Sequence, residues 1–120
     1  MSSSDIDRKI AVIFATDLVG YSKHMEKDEN ATLLGLRECN KIIEPLIKKQ
    51  KGRIFNTGGD SVFAEFPSAV AAVNTAVEFQ KQIKDRNEKD TTEVKLEYRI
   101  GINMGDVVKQ GDANLMGDGV

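Results

Sequence analysis

Twelve consecutive residues, Phe55-Asn56-Thr57-Gly58-Gly59-Asp60-Ser61-Val62-Phe63-Ala64-Glu65-Phe66, restrict the fold more than any other stretch. Two apolar, strand-like runs are joined by a glycine pair. A tight type I′ turn needs positive φ at both central residues, and Gly58-Gly59 supplies this without Cβ strain. The runs are therefore predicted to be antiparallel neighbours, with Asp60 opening the return strand. Aspartate beside glycine is also ordinary turn chemistry, so Asp60 gains functional meaning only beside a second acid.

Asp17 is that acid. In Lys9-Ile10-Ala11-Val12-Ile13-Phe14-Ala15-Thr16-Asp17-Leu18-Val19-Gly20-Tyr21-Ser22, a nearly continuous apolar run ends in a carboxylate and a glycine-containing turn. Such a run suits a central strand buried on both faces. Taken alone, Asp17 also reads as a helix cap, because the chain can turn helical near Val19.

The length of 120 residues accommodates one core and one domain, with residues 1–8 expected to be a disordered N-terminus and 9–120 the folded unit. Seventeen Lys and Arg against nineteen Asp and Glu leave a formal charge of −2. No global basic field therefore argues for nucleic acid or an anionic membrane. Cys39 is the only cysteine, which excludes an internal disulfide and a cysteine-rich zinc site and points to a reducing cytoplasm. No run approaches the roughly twenty apolar residues of a membrane span.

Asp28-Glu29-Asn30 supplies caps for a helix reaching about Lys51. Leu33, Leu36, Cys39, Ile42, Ile43, Leu46 and Ile47 recur on one face of it. Pro45 predicts a kink, and Gly52 a helix end. Pro67-Ser68 opens a second amphipathic helix, on which Ala69, Val73, Ala76 and Ile83 share a face beside Val70 and Val77. Residues 85–92 read as a polar loop. Val94 to Met104 then alternate with period two, the plainest strand in the chain. His24 reads as a surface residue and Cys39 as a buried structural thiol.

The order strand, helix, strand, strand, helix, strand is the ferredoxin-like βαββαβ arrangement, an α+β fold whose antiparallel sheet carries its helices on one face. Right-handed crossovers make the first and third strands antiparallel neighbours at mid-sheet. The end of the first, at Asp17, then lies beside the start of the third, at Asp60. Two unpaired carboxylates that close repel, and a divalent cation relieves the repulsion. Oxygen-only donors indicate Mg²⁺ or Mn²⁺ in preference to zinc. The glycine turn Leu18-Val19-Gly20-Tyr21-Ser22 presents backbone amides to an anion, so the parts together suit a metal-bound polyphosphate.

These residues resemble the class III nucleotidyl cyclase catalytic domain, the adenylate and guanylate cyclase homology domain. The resemblance rests on Phe14 to Ser22, Asn56-Thr57-Gly58-Gly59-Asp60, Arg99 to Val107 and Gly117-Asp118-Gly119-Val120, four blocks in the family's order. It implies that Asp17 and Asp60 bind two ions of Mg²⁺ or Mn²⁺, with the Leu18 carbonyl as a further ligand and Val19, Gly20, Tyr21 and Ser22 along the phosphates. The implied activity is that of a phosphorus-oxygen lyase: the ribose 3′-oxygen of ATP or GTP attacks the α-phosphate and pyrophosphate leaves. The implied assembly is a homodimer, or a heterodimer with another cyclase domain.

Two positions depart from the family pattern. The base-reading lysine and aspartate or threonine of its adenylate cyclases correspond here to Asn56 and Asn114, neutral groups that both donate and accept. The family's ribose-positioning asparagine and transition-state arginine fall after Val120, so residues 1–120 alone are expected to turn over poorly. The alternative is a non-catalytic domain that binds metal-nucleotide or a partner in signalling. A diguanylate cyclase, whose signature begins like Gly58-Gly59-Asp60, departs at Ser61-Val62.

Overall fold

A strand buried on both faces at Ala11, Val12, Ile13 and Phe14 runs through the middle of the sheet. This is β1 (Asp7–Leu18), which begins two residues before the expected boundary. The computed structural model describes residues 7–58, 60–90, 95–109 and 115–117, and the side chains of 11–58, 60–90 and 95–105. Its elements follow in order: α1 (Tyr21–Lys27), α2 (Glu29–Lys49), β2 (Arg53–Gly58), β3 (Ser61–Phe66), α3 (Ala69–Lys89), β4 (Tyr98–Lys109) and β5 (Leu115–Gly117).

The sheet order is β2-β3-β1-β4-β5, and every pairing is antiparallel. The first four strands with α2 and α3 are the expected ferredoxin-like βαββαβ fold; β5, paired at Val107 to Lys109, is an addition that periodicity did not announce. Alternation along β1 sends Val12, Phe14, Thr16 and Leu18 to one face. There they join Val62, Ala64, Phe66 and Tyr98 of neighbouring strands and Leu36, Cys39, Ile43, Ile47, Ala71, Ala72, Phe79 and Ile83 of the helices in one core. The other face carries a small cluster of Ala11, Ile13 and Phe55 with no helical residue in it. Both long helices therefore cover the same side.

Helix starts follow the sequence closely. Ala31 N–H donates to Asp28 Oδ1 at 3.0 Å, and Ala71 N–H to Ser68 Oγ at 3.1 Å, which satisfies amides that the first turn leaves without intrahelical partners. Helix faces follow it less well. On α2, Leu33 is 41% exposed, whereas Leu36, Cys39, Ile43 and Ile47 are buried. α2 continues through Pro45 to Lys49. Its end also differs from expectation, because Lys51 takes the left-handed conformation, with φ 62°. Lys51 N–H donates to Lys48 O and Gly52 N–H to Ile47 O, the paired bonds of a Schellman cap. On α3 the core face is Ala71, Ala72, Thr75, Phe79 and Ile83, so Val70, Val73 and Val77 point outward at 69, 47 and 63% exposure. Thr75 is buried because its hydroxyl donates to Ala71 O at 3.0 Å, a local bond that a polar letter conceals. β4 starts later and runs longer than its alternation suggested, and Met104 is 65% exposed.

Candidate functional site

Register decides what meets at the end of the sheet. Asp17 is the cross-strand partner of Ser61 on one side and of Arg99 on the other, and Gly58 pairs with Ser61. Gly58, Ser61, Asp17 and Arg99 thus form one row on the helix-free face, and Asp60 immediately precedes the row in the turn before β3. The two acids, 43 positions apart in the chain by their numbering, do reach one sheet end. Asp60 stands in that turn, one residue before the strand it was expected to open. Gly59 and Asn114 lie outside the described residues.

The Leu18 carbonyl fits the same locale. Val19 N–H donates to Glu97 O at 2.8 Å, so odd-numbered peptide groups here face β4. Alternation then turns the peptide groups of Leu18 toward the β3 side, where β3 has already given way to the turn holding Asp60. Gly20 follows with φ 68°, a left-handed conformation in which glycine is unstrained, and leads into α1. Tyr21 and Ser22 are accordingly the first residues of α1, at the end of the glycine turn that the sequence places there. His24 is partly buried on α1 and its carbonyl accepts from the Thr32 hydroxyl at 2.9 Å.

Arg99 was not singled out by the sequence as a site residue. Its Nη2 donates to Asp17 Oδ2 at 2.7 Å, with the two side chains 72 and 49% exposed. An ion pair this exposed contributes about 1 kcal/mol or less, so Asp17 can exchange it for a stronger cation at little cost. Carrying the β1–β4 pairing one step past the strand order would have found Arg99, since both residues sit where their strands meet the site.

Asn56 shares the helix-free face in the next row of like-facing residues, paired with Phe63, which in turn pairs with Ala15 and then Gly101. Two strand spacings and two residues of rise put Asn56 about 12 Å from Asp17 between Cα atoms. At the β4 end of that row the surface is low: a Cβ on Gly101 would meet nothing within 4 Å. The helix-covered side has a groove of about 700 Å³, lined by Ile83, Leu96, Tyr98, polar groups of α3, and Lys95 and Glu97 just before β4. That groove lies across the sheet from Asp17.

Among the described residues, no three His, Cys, Asp or Glu side chains converge as a metal cage. Two carboxylates with a backbone carbonyl are nevertheless a fitting donor set for Mg²⁺ or Mn²⁺. Mg²⁺ characteristically takes one or two carboxylates and completes its shell with water and substrate phosphates.

The family model for the adenylate and guanylate cyclase catalytic domain matches residues 3–116. The chain belongs to that family. The cyclase-family domain is 39% identical over 121 residues to "Putative adenylate cyclase 3" of Rhizobium meliloti (strain 1021), a match covering all of this chain and 20% of that protein. It therefore spans about one fifth of the length of that relative. Among solved structures, the adenylate/guanylate cyclase/hydrolase from Silicibacter pomeroyi superposes with a TM-score of 0.82 at 35% identity, over 96% of this chain and 67% of that one. The adenylyl cyclase CyaB from P. aeruginosa gives 0.73 at 26%, over 95 and 66%. No helix among the described residues of the cyclase-family domain is long and apolar enough to cross a membrane.

Proposed function

We propose that this domain binds a divalent-metal complex of ATP or GTP on its helix-free face and, in a dimer, forms 3′,5′-cyclic nucleotide and pyrophosphate, with ATP the favoured substrate. The single observation that carries the reading is the row Gly58–Ser61–Asp17–Arg99 with Asp60 at its end. It gathers two acids, a cation and a glycine turn at one sheet end, in a family whose described activity is nucleotide cyclisation.

Asp17 and Asp60 would hold two ions of Mg²⁺ or Mn²⁺ together with the Leu18 carbonyl. When bound, the metals supply the lowered pKa of the ribose 3′-hydroxyl and neutralisation of the triphosphate. With Asp17 engaged by metal, Arg99 would be free of its present ion pair and could serve the phosphates as a positive group. Val19, Gly20, Tyr21 and Ser22 border the same space, and Asn56, about 12 Å from Asp17 by strand geometry, stands where the far end of an extended nucleotide reaches. Asn56 and Asn114 offer the base neutral hydrogen bonds, which discriminate less than charged ones.

A second subunit is the partner that the helix-free face calls for. The half-buried Phe55 and Phe63 give it some apolar surface that α2 and α3 do not cover, which suits a homodimer or a heterodimer with another cyclase domain. A cytoplasmic setting accords with the buried free thiol of Cys39.

Titration calorimetry with Mn²⁺ and ATP or GTP tests the site. Metal-dependent binding should be lost in both Asp17→Asn and Asp60→Asn, and unchanged binding in both removes the site. Product analysis with each triphosphate then tests the reaction.

A further inference from the structure

The start of β4 is held from outside the sheet by two side chains of α3. The Leu96 and Tyr98 carbonyls point away from β1, because Glu97 O, between them, accepts from Val19 of the β1 side. They belong to an edge that, among the described residues, has no strand partner before Val107. Side-chain amides take the place of that partner. Gln80 Nε2 donates to Tyr98 O at 2.8 Å, and Asn87 Nδ2 to Leu96 O at 2.7 Å. Seven residues apart, Gln80 and Asn87 lie two helical turns apart on one line of α3, facing alternate carbonyls of the strand. The Asn87 amide is itself oriented, since its Oδ1 accepts from Arg86 Nη1 at 2.9 Å. Arg86 is in turn bonded to Glu38 and Asp90. Lys95 Nζ closes the arrangement by donating to the Asn87 and Asp90 carbonyls.

On its other edge the same short stretch carries the candidate site. Glu97 O accepts from the Val19 amide at 2.8 Å, and Arg99 Nη2 donates to Asp17 Oδ2 at 2.7 Å. Residues 96 to 99 therefore bridge α3 and the nucleotide loop, each alternate peptide group committed to one side or the other.

The geometry points to Gln80 and Asn87 as positioning residues: by fixing the outer edge of β4 through Tyr98 and Leu96, they set where Val19 and Arg99 stand. They touch no proposed ligand. The effect on nucleotide binding rests on the function proposed above; the effect on the loop does not.

The test uses Gln80→Met and Asn87→Leu, each close in shape and lacking the donor. Gln82→Met is the control, because among the described residues that amide bonds to Glu78 of its own helix, at 2.9 Å, and not to β4. Hydrogen exchange of the Val19 amide is read against the Ala64 amide in the core of β3, and calorimetry reads Mn²⁺-ATP affinity. Each variant should speed Val19 exchange relative to Ala64 by about fivefold and weaken nucleotide binding by a similar factor, the equivalent of one neutral hydrogen bond. Gln82→Met should do neither. Exchange at Val19 that moves only in step with Ala64 would overturn the inference, as would faster Val19 exchange with unchanged affinity. If the parent chain binds no Mn²⁺-nucleotide, the proposed function fails, and the exchange comparison still decides whether these amides fix the loop.

Discussion

Gly52→Ala should destabilise the domain although its backbone would accept alanine. Gly52 is not among the residues with positive φ, so replacing it should gain about 0.4–1 kcal/mol by restricting the unfolded chain. The folded state opposes this. An added Cβ would lie 2.6 and 2.9 Å from Cε2 and Cδ2 of Phe66 and 2.8 Å from Cγ2 of Ile47. Neither neighbour has room to yield: Phe66 and Ile47 are 3 and 1% exposed, and the Phe66 ring packs edge-on against Phe14 with centroids 5.4 Å apart. Overpacking of this kind costs about 1–3 kcal/mol, so the net loss should be about 1–2 kcal/mol after the unfolded-state gain. Urea denaturation would read it as a midpoint lowered by roughly 0.5–1 M with unchanged slope, given a slope of about 2 kcal/mol per M. The melting temperature should fall by about 4 °C per kcal/mol. A variant more stable than the parent would refute the reasoning, showing that Phe66 moves aside freely and that glycine is not required for close approach.

At the adjacent position the sign reverses. Lys51→Gly should raise stability by about 1 kcal/mol, because a side chain in the left-handed region is strained and glycine is not; urea midpoints check it. Tyr98→Phe should leave stability within about 0.5 kcal/mol of the parent or raise it, since among the described residues the buried hydroxyl has no well-placed hydrogen-bond partner and lies near the weak Cys39 thiol. Burial pushes both the Tyr98 phenol and the Cys39 thiol up, so the folded state favours their neutral forms. Stability should be fully present below the unfolded-state values, near pH 8.5 and 10, and decline as pH rises beyond them, by up to about 1.4 kcal/mol per pH unit for each group. Tyr98→Phe should make that decline shallower, as measured by urea unfolding at stepped alkaline pH.

The strand order and the meeting of Asp17 with Asp60 were legible because they follow from connectivity. Once β1 and β3 are antiparallel neighbours, the end of one lies beside the start of the other whatever the side chains do. Helix faces were less legible. On α3 the apolar letters Val70, Val73 and Val77 suggest a face that the fold leaves outside. The pair Phe79 and Ile83, with small Ala71, Ala72 and a Thr75 satisfied by its own helix, makes the buried one. The α2 terminus misled for a related reason: glycine at 52 suggests a left-handed residue, but the space beside Phe66 and Ile47 requires it instead. Arg99 was hidden because a polar letter on an alternating strand identifies a face without identifying a partner.

The helix-covered core also enforces the geometry of the opposite, open face. In a strand the two faces alternate residue by residue, so a register slip of one position would exchange them. For β1 that would bring Val12, Phe14, Thr16 and Leu18, all 4% exposed or less, out of the helix-facing layer and turn Asp17 toward it. The apolar burial forgone, about 1.5–3 kcal/mol for each large side chain, greatly exceeds what the exposed Asp17–Arg99 pair contributes. The site therefore does not hold itself together. Its row is set by residues that face away from it, which leaves Asp17, Ser61 and Arg99 free of any structural burden and able to change partners, as the proposed binding of a metal-nucleotide requires.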